Sequence, residues 1–161
     1  MKTYRTFSSE ETKKLGYKLA RQFAICPPAP RLRRAGNSQF SKNKHALVFA
    51  LTGELGAGKT TFIQGFLRGL GIRKRSASPT FVIFRRFMVH SSWFKHVYHL
   101  DAYRIKKARE LAALEFKEIL DDPRNIVLIE WAENIKKILP KKIYKIKFHH
   151  GKKENERTLS Y

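Results

Sequence analysis

The sequence predicts an α/β fold: a three-layer sandwich of helices around a mixed sheet with a parallel centre and antiparallel portions. Three observations carry this expectation. "ALVFALT" (46–52) and "IVLIEW" (126–131) are unbroken apolar runs of strand length, as strands buried on both faces tend to be. Helix-like sequence follows each of them. "IYKIKFHH" instead alternates apolar and basic residues, the pattern of an antiparallel or edge strand with one wet face.

The remaining elements fall between these. "SSEETKKLGYKLARQF" reads as a helix capped by Ser8 or Ser9, with Glu10 and Glu11 at its positive end and Leu15, Leu19 and Phe23 forming one apolar stripe. "CPPAPRLRRAGNSQFSKNKH" breaks every periodicity and predicts a basic, Pro-rich insertion at 26–44. "KTTFIQGFLRGLGI" sets Phe62, Phe66 and Leu70 on one helical face and ends at Gly71. "TFVIFRRF" (80–87) and "FKHVYHLDAYR" (94–104) are aromatic and β-branched, hence strands. "KARELAALEFKEIL" (107–120) reads as one helix ended by "DDPRN", and "RTLSY" can pair with the strand before it.

Bulk composition narrows the function. A length of 161 residues predicts one domain over 1–161. The apolar runs are too short for a membrane span, and "MKTYRTFSSEETKK" has no apolar signal region. A single cysteine, Cys26, excludes an internal disulfide and a Cys-cluster metal site, so a cytoplasmic, reducing location is expected. The net charge of +21 points equally to phosphate-rich partners or to compositional drift toward lysine at solvated positions. It is spread along the chain but denser at the front, where residues 1–45 carry 11 basic and 2 acidic residues.

The chemistry is concentrated in "GELGAGKTT", Gly53 to Thr61. It matches G-x-x-x-x-G-K-[ST] between a predicted strand and a predicted helix, the context the mechanism requires. The glycines permit torsions that aim consecutive N–H groups of residues 54–60 at one anion, and the helix turns its positive end to the same point. Glu54, Leu55, Gly56, Ala57, Gly58, Lys59, Thr60 and Thr61 are therefore the expected phosphate cradle of a P-loop NTPase-like fold. Lys59 is expected on the β- and γ-phosphates and Thr60 on Mg²⁺. "NKHA" (43–46) lacks the acid of a guanine reader, so ATP is the expected nucleotide.

Two acids complete the reading. Glu130 emerges from the apolar "IVLIEW" strand, where an unpaired acid is costly, and is assigned as second Mg²⁺ ligand. Alternation places Val97, His99, Asp101 and Tyr103 on one strand face, so Asp101 points where His99 does. Asp101 can align a water for attack or hold the Mg²⁺ shell. Spacing alone leaves a salt-bridge or turn role equally open.

"GELGAGKTTFIQGFLRGLGI", "SPTFVI", "YHLDAYR" and "VLIEWAENI…LP" together resemble the TsaE family, ATPases of bacterial threonylcarbamoyladenosine biosynthesis, from about residue 8 to the C-terminus without the insertion. The resemblance implies Mg²⁺-dependent ATP binding and slow hydrolysis. It implies action with threonylcarbamoyl-transferase subunits (TsaD and TsaB type proteins) that modify adenosine 37 of ANN-decoding tRNAs. By position it makes Asp101 the essential acid, Lys59 and Thr60 the loop ligands, and Glu130 the metal ligand. It makes Ser78, Pro79 and Thr80, with Phe81, a switch-like segment near the γ-phosphate, and sets Trp131 beside the nucleotide. No arginine finger stands in the loop; Arg104 or a partner residue is the source to consider.

Arg85 and Arg86 replace the polar or acidic residues usual after "SPTF" in that family, and the insertion and charge are untypical. They add the expectation of weak, salt-sensitive tRNA contact. Two other functions fit the loop: a small-molecule kinase, and a non-catalytic nucleic-acid-binding module that uses ATP structurally.

Overall fold

A computed structural model describes residues 2–25, 44–73, 84–90, 93–105, 109–112 and 115–161. The expected insertion, apart from Lys44, and the whole Ser78–Phe81 segment lie outside the described residues.

Seven strands form one sheet: β1 (Thr3–Thr6), β2 (Leu47–Gly53), β3 (Phe84–Met88), β4 (His96–Asp101), β5 (Asn125–Glu130), β6 (Tyr144–His150) and β7 (Arg157–Ser160). Their order is β1-β7-β6-β2-β5-β4-β3. β6, β2, β5 and β4 run parallel, while β3, β7 and β1 pair antiparallel at the two flanks. The expected sandwich is therefore correct in class, with helices on both faces.

Helices α1 (Ser9–Ile25) and α2 (Lys59–Gly69) cover one face. There Phe49 and Leu51 of β2, Ile126 and Leu128 of β5 and Ile146 and Phe148 of β6 pack with Phe62 and Phe66 of α2. The phenyl rings interlock edge to face, with centroids 4.9 Å apart for Phe49–Phe66 and 5.6 Å for Phe62–Phe148. On the other face α3 (Arg109–Ala112), α4 (Phe116–Asp121) and the 3₁₀ segment Ala132–Ile138 enclose Val48, Ala50, Leu100, Val127 and Ile129.

Three expectations needed correction. Among the described residues of 107–120, helix appears as two short pieces, α3 and α4, and Glu115, at φ 52°, stands outside helical torsions just before α4. β4 stops at Asp101, so Tyr103 lies in a turn and not on the strand. β6 keeps the expected wet face and pairs antiparallel with β7, but it is internal, parallel to β2 on its other side, so of the two expected placements the edge position is the one overturned. β1 was not anticipated: its four residues pair with β7, and Tyr4 stacks on Tyr161 at 5.2 Å.

α1 begins with a reciprocal cap. The Glu11 N–H donates to Ser8 Oγ at 3.1 Å, and Glu11 Oε2 accepts from the Phe7 N–H at 2.8 Å. α2 closes as expected around Gly71 (φ 83°), with the Ile72 N–H returning to Leu67 O at 3.0 Å. The two helices approach closely because small residues face each other. A Cβ on Gly65 would sit 1.9 Å from Lys13 O, and one on Gly16 would sit 2.2 Å from Phe62 O. Since α2 starts at Lys59, this contact fixes the loop's downstream anchor.

Gly65→Ala is accordingly expected to lower stability by about 1–3 kcal/mol through overpacking, even though alanine is the better helix former by about 1 kcal/mol. Calorimetric melting checks this. A raised melting temperature would mean that the helices are not locked at this contact.

Candidate phosphate-binding site

The strand-to-helix turn after β2 is built on glycine backbone. Gly53, Gly56 and Gly58 have φ of 132°, 74° and 96°, a region in which other residues are strained. At Gly53 a Cβ would also meet Phe148 O at 2.1 Å. Gly58 is the N-cap of α2 and provides no side-chain cap, so the first N–H groups of the helix face the loop without one. Glu54, Leu55 and Gly56 form the exposed rim, and Ala57 is buried beneath it.

Lys59 is 4% exposed. Its ammonium donates to Gly53 O and Glu54 O, both at 2.7 Å, and lies 4.0 Å from the centroid of the Trp131 ring. Among the described residues it forms no ion pair. Burial draws its pKa below the ordinary lysine value of 10.5, opposed by the charges of Glu130, Glu133, Asp101 and Glu54. A buried cation held by carbonyl dipoles and an indole face, with no ion pair among the described residues, is a ready partner for an anion.

Beside it Glu130, 3% exposed, terminates β5. The Thr60 hydroxyl donates to both of its oxygens, at 3.0 and 2.8 Å. Fully buried His99 places Nε2 2.8 Å from Glu130 Oε1, so as a carboxylate Glu130 accepts from Nε2–H. Asp101 is the register partner of Glu130 on the neighbouring strand, and Leu51 is its partner on the other side. Asp101 is half-buried, and its Oδ1 accepts the Tyr103 N–H at 3.0 Å.

Trp131, next along the chain, takes φ 56°, ψ 42°, a left-handed conformation costing about 1–2 kcal/mol for a residue with a Cβ. That turn lays its ring over Lys59 and 4.9 Å from the Tyr103 ring. Asn134 holds the neighbouring chain by donating to Ala102 O at 2.9 Å.

The structure thus brings together Lys59, Thr60, Asp101, Glu130 and Trp131, which lie far apart in sequence. Ser78, Pro79 and Thr80 lie outside the described residues. Sequence reasoning named His99 only as sharing the Asp101 face; the β4–β5 register is what brings it to Glu130. It missed His150 and Arg157, for which no local signal exists. His150 Nε2 lies 2.9 Å from Leu55 O, and Arg157 Nε donates to Gly56 O at 3.1 Å, so the β6–β7 hairpin grips the loop from outside. A recess of about 80 Å³ opens between that hairpin and α1, lined by Ser9, Thr12, Gly58, Thr61, Asn155 and Arg157.

The lowered pKa of Lys59 fixes the sign of a pH effect. Between the folded value and 10.5 the unfolded chain binds more protons, so stability rises with pH across that window. Urea unfolding of wild type and Lys59→Met along a pH series should show the difference shifting in favour of wild type as pH approaches 10.5. A flat difference would mean that the ammonium is not desolvated.

Comparison with known proteins agrees with this geometry. The family model described as "Threonylcarbamoyl adenosine biosynthesis protein TsaE" matches residues 6–159. The tRNA threonylcarbamoyladenosine biosynthesis protein TsaE of Bacillus subtilis is 34% identical over 158 residues, covering 98% of this chain and 83% of that protein. The protein of the same name from Haemophilus influenzae is 36% identical over 95 residues, covering 59% of this chain and 58% of that protein. The crystal structure of Bacillus subtilis YdiB superposes with a TM-score of 0.66 at 28% identity, covering 98% of this chain and 82% of that one. With the phosphate loop, the sheet order and nearly the whole length accounted for, the chain belongs to the TsaE family.

Proposed function

We propose that this protein is a Mg²⁺-dependent ATPase that supports threonylcarbamoyladenosine formation on ANN-decoding tRNAs, acting with threonylcarbamoyl-transferase subunits of the TsaD and TsaB type. The observation that carries this reading is Lys59: a buried ammonium at a glycine turn, held by two loop carbonyls and an aromatic face with no ion pair among the described residues. The donor set beside it suits Mg²⁺, since the Thr60 hydroxyl and the Glu130 carboxylate are hard oxygen ligands already in contact.

In this mechanism the N–H groups of residues 54–60 and the Lys59 ammonium bind the β- and γ-phosphates of ATP. Thr60 and Glu130 would hold Mg²⁺, which would supply positive charge to offset that of the phosphates. His99 keeps the Glu130 carboxylate aimed at Thr60. Asp101, one strand away, orients the attacking water and takes up its proton. Thr61 and the recess it lines with Arg157 and Asn155 accept the nucleoside end. Trp131 shields the lysine from solvent. The loop from Gly53 to Thr61 contains no arginine, so turnover by the chain alone is expected to be slow and to rise with the partner. Neither the kinase reading nor the purely structural use of ATP gains a specific observation over this one.

Binding is checked through Trp131. With Trp93→Phe removing the other indole, ATP titration should change the fluorescence as Lys59 leaves the ring. Lys59→Ala should weaken ATP by about 10–150-fold, the worth of a charged hydrogen bond of 1.5–3 kcal/mol.

Hydrolysis is checked with the purified transferase subunits added. Wild-type turnover should be stimulated, and Asp101→Asn and Glu130→Gln should each remove the stimulated rate. Stimulation by a small acceptor molecule in place of the proteins would revive the kinase reading. Tight ATP binding without turnover in any mixture would favour the non-catalytic one.

A further inference from the structure

The sheet is covered unevenly. On the face opposite α1 and α2, the short helices and the 3₁₀ segment enclose β2, β5 and β4. Among the described residues, no helix packs over β6, β7 and β1 on that face. The strand registers show what stands there. Lys145 and Lys147 of β6 alternate with buried Ile146 and Phe148, so both ammonium groups project from the open side, as does His149. Lys147 is in register with Ser160 and through it with Thr3; His149 is in register with Thr158 and through it with Arg5.

Every exposed group in these rows is basic or a hydroxyl. Among the described residues none of Lys145, Lys147, His149 and Arg5 forms an ion pair. The stretch leading onto the face extends the same charge: between Glu133 and Glu154 the sequence holds eight lysines, two histidines and no acid. The positive charge is therefore not only diffuse. It also gathers on the exposed side of β6, far along the sequence from the basic insertion at 26–44 that composition alone would nominate.

We propose that the open face of β6–β7–β1 is an RNA-binding surface that contacts the phosphate backbone of tRNA. The proposal rests on the assignment of the chain to tRNA modification and adds the surface by which it would touch the RNA directly. The chemistry selects nucleic acid over an acidic protein. Stable protein interfaces need a buried aromatic or aliphatic anchor, and these rows contain none. Phosphate contacts draw on lysine, arginine and serine or threonine hydroxyls, which are the groups present. Neighbouring ammonium groups two residues apart on a strand lie about 6.6 Å from each other, close enough to engage successive phosphates of one strand. Binding through this face leaves the glycine loop, on the other side of the sheet, open to nucleotide.

The test is fluorescence polarisation of a labelled, unmodified ANN-decoding tRNA transcript with the full chain, without nucleotide, from 50 to 200 mM salt. Wild type should bind with affinity that falls steeply with salt. Lys145→Gln/Lys147→Gln should lower the slope of log K against log salt by about 0.7–0.9 per lost contact and weaken binding about tenfold or more. The matched control Lys14→Gln/Lys18→Gln removes the same charge from the exposed side of α1 and should leave the slope unchanged. Equal losses in the two pairs, or no wild-type binding at 50 mM salt, would overturn the proposal. So would a Lys145/Lys147 pair that keeps tRNA affinity but no longer binds the transferase proteins, which would mark an acidic protein as the occupant. ATP affinity is measured on the same samples and should be unchanged in the Lys145/Lys147 variant. Wild type that binds tRNA but no ATP would sink the ATPase reading and leave this one standing.

Discussion

The site depends on where two parallel strands stop. β2 and β5 are paired so that Leu51 lies opposite Glu130, and β4 sets Asp101 opposite Glu130 on its other side. Side chains in register share a face, so both carboxylates point toward α2, and the chain leaving β2 must turn through the loop directly above them. A slip of one residue in β5 would send Glu130 into the opposite core and leave Thr60 without its partner. The apolar filling of both faces makes that slip prohibitive, because Ile126 and Leu128 belong to one core and Val127 and Ile129 to the other. The hydrophobic sheet thus defines the polar geometry at its end.

Within that frame the polar groups satisfy one another. Thr60 and His99 occupy the Glu130 oxygens, Gly53 O and Glu54 O hold the Lys59 ammonium, and Trp131 covers it in a strained backbone conformation. Each contact is replaceable by a phosphate or cation contact of similar or greater strength. The cost of keeping a dry cation and a dry carboxylate side by side is met by the rigid scaffold, above all by the close seat of α1 on α2. His150 and Arg157 tie the outer side of the loop to the β6–β7 hairpin, so the strand carrying the basic face also touches the glycine loop.

Much of this was legible in the sequence, for physical reasons. The buried strands announced themselves because burial on both faces forces apolar runs, and the loop did so because backbone binding of an anion needs glycine. Glu130 stood out as an acid at the end of a strand that should exclude it. His99 was half-legible: alternation gave its direction, but only the β4–β5 register gives its partner. Arg157 was not legible at all, since it meets Gly56 across 101 residues of sequence. The break at Glu115 was hidden because helix-forming residues flank it on both sides. β6 was half-legible: alternation gave its wet face, and its antiparallel pairing with β7 was among the expected placements, but alternation does not say whether such a strand stands at an edge or inside the sheet. The Ser78, Pro79 and Thr80 assignment lies outside the described residues and stays a reading of the sequence.

The most direct test is a crystal structure of the chain with Mg²⁺ and a non-hydrolysable ATP analogue. The account predicts that the Lys59 ammonium exchanges Gly53 O and Glu54 O for phosphate oxygens. It also predicts that the Thr60 hydroxyl and a Glu130 oxygen turn from each other to a shared cation. A complex in which Lys59 keeps both carbonyls and Thr60 keeps Glu130, with the nucleotide bound elsewhere, would contradict it.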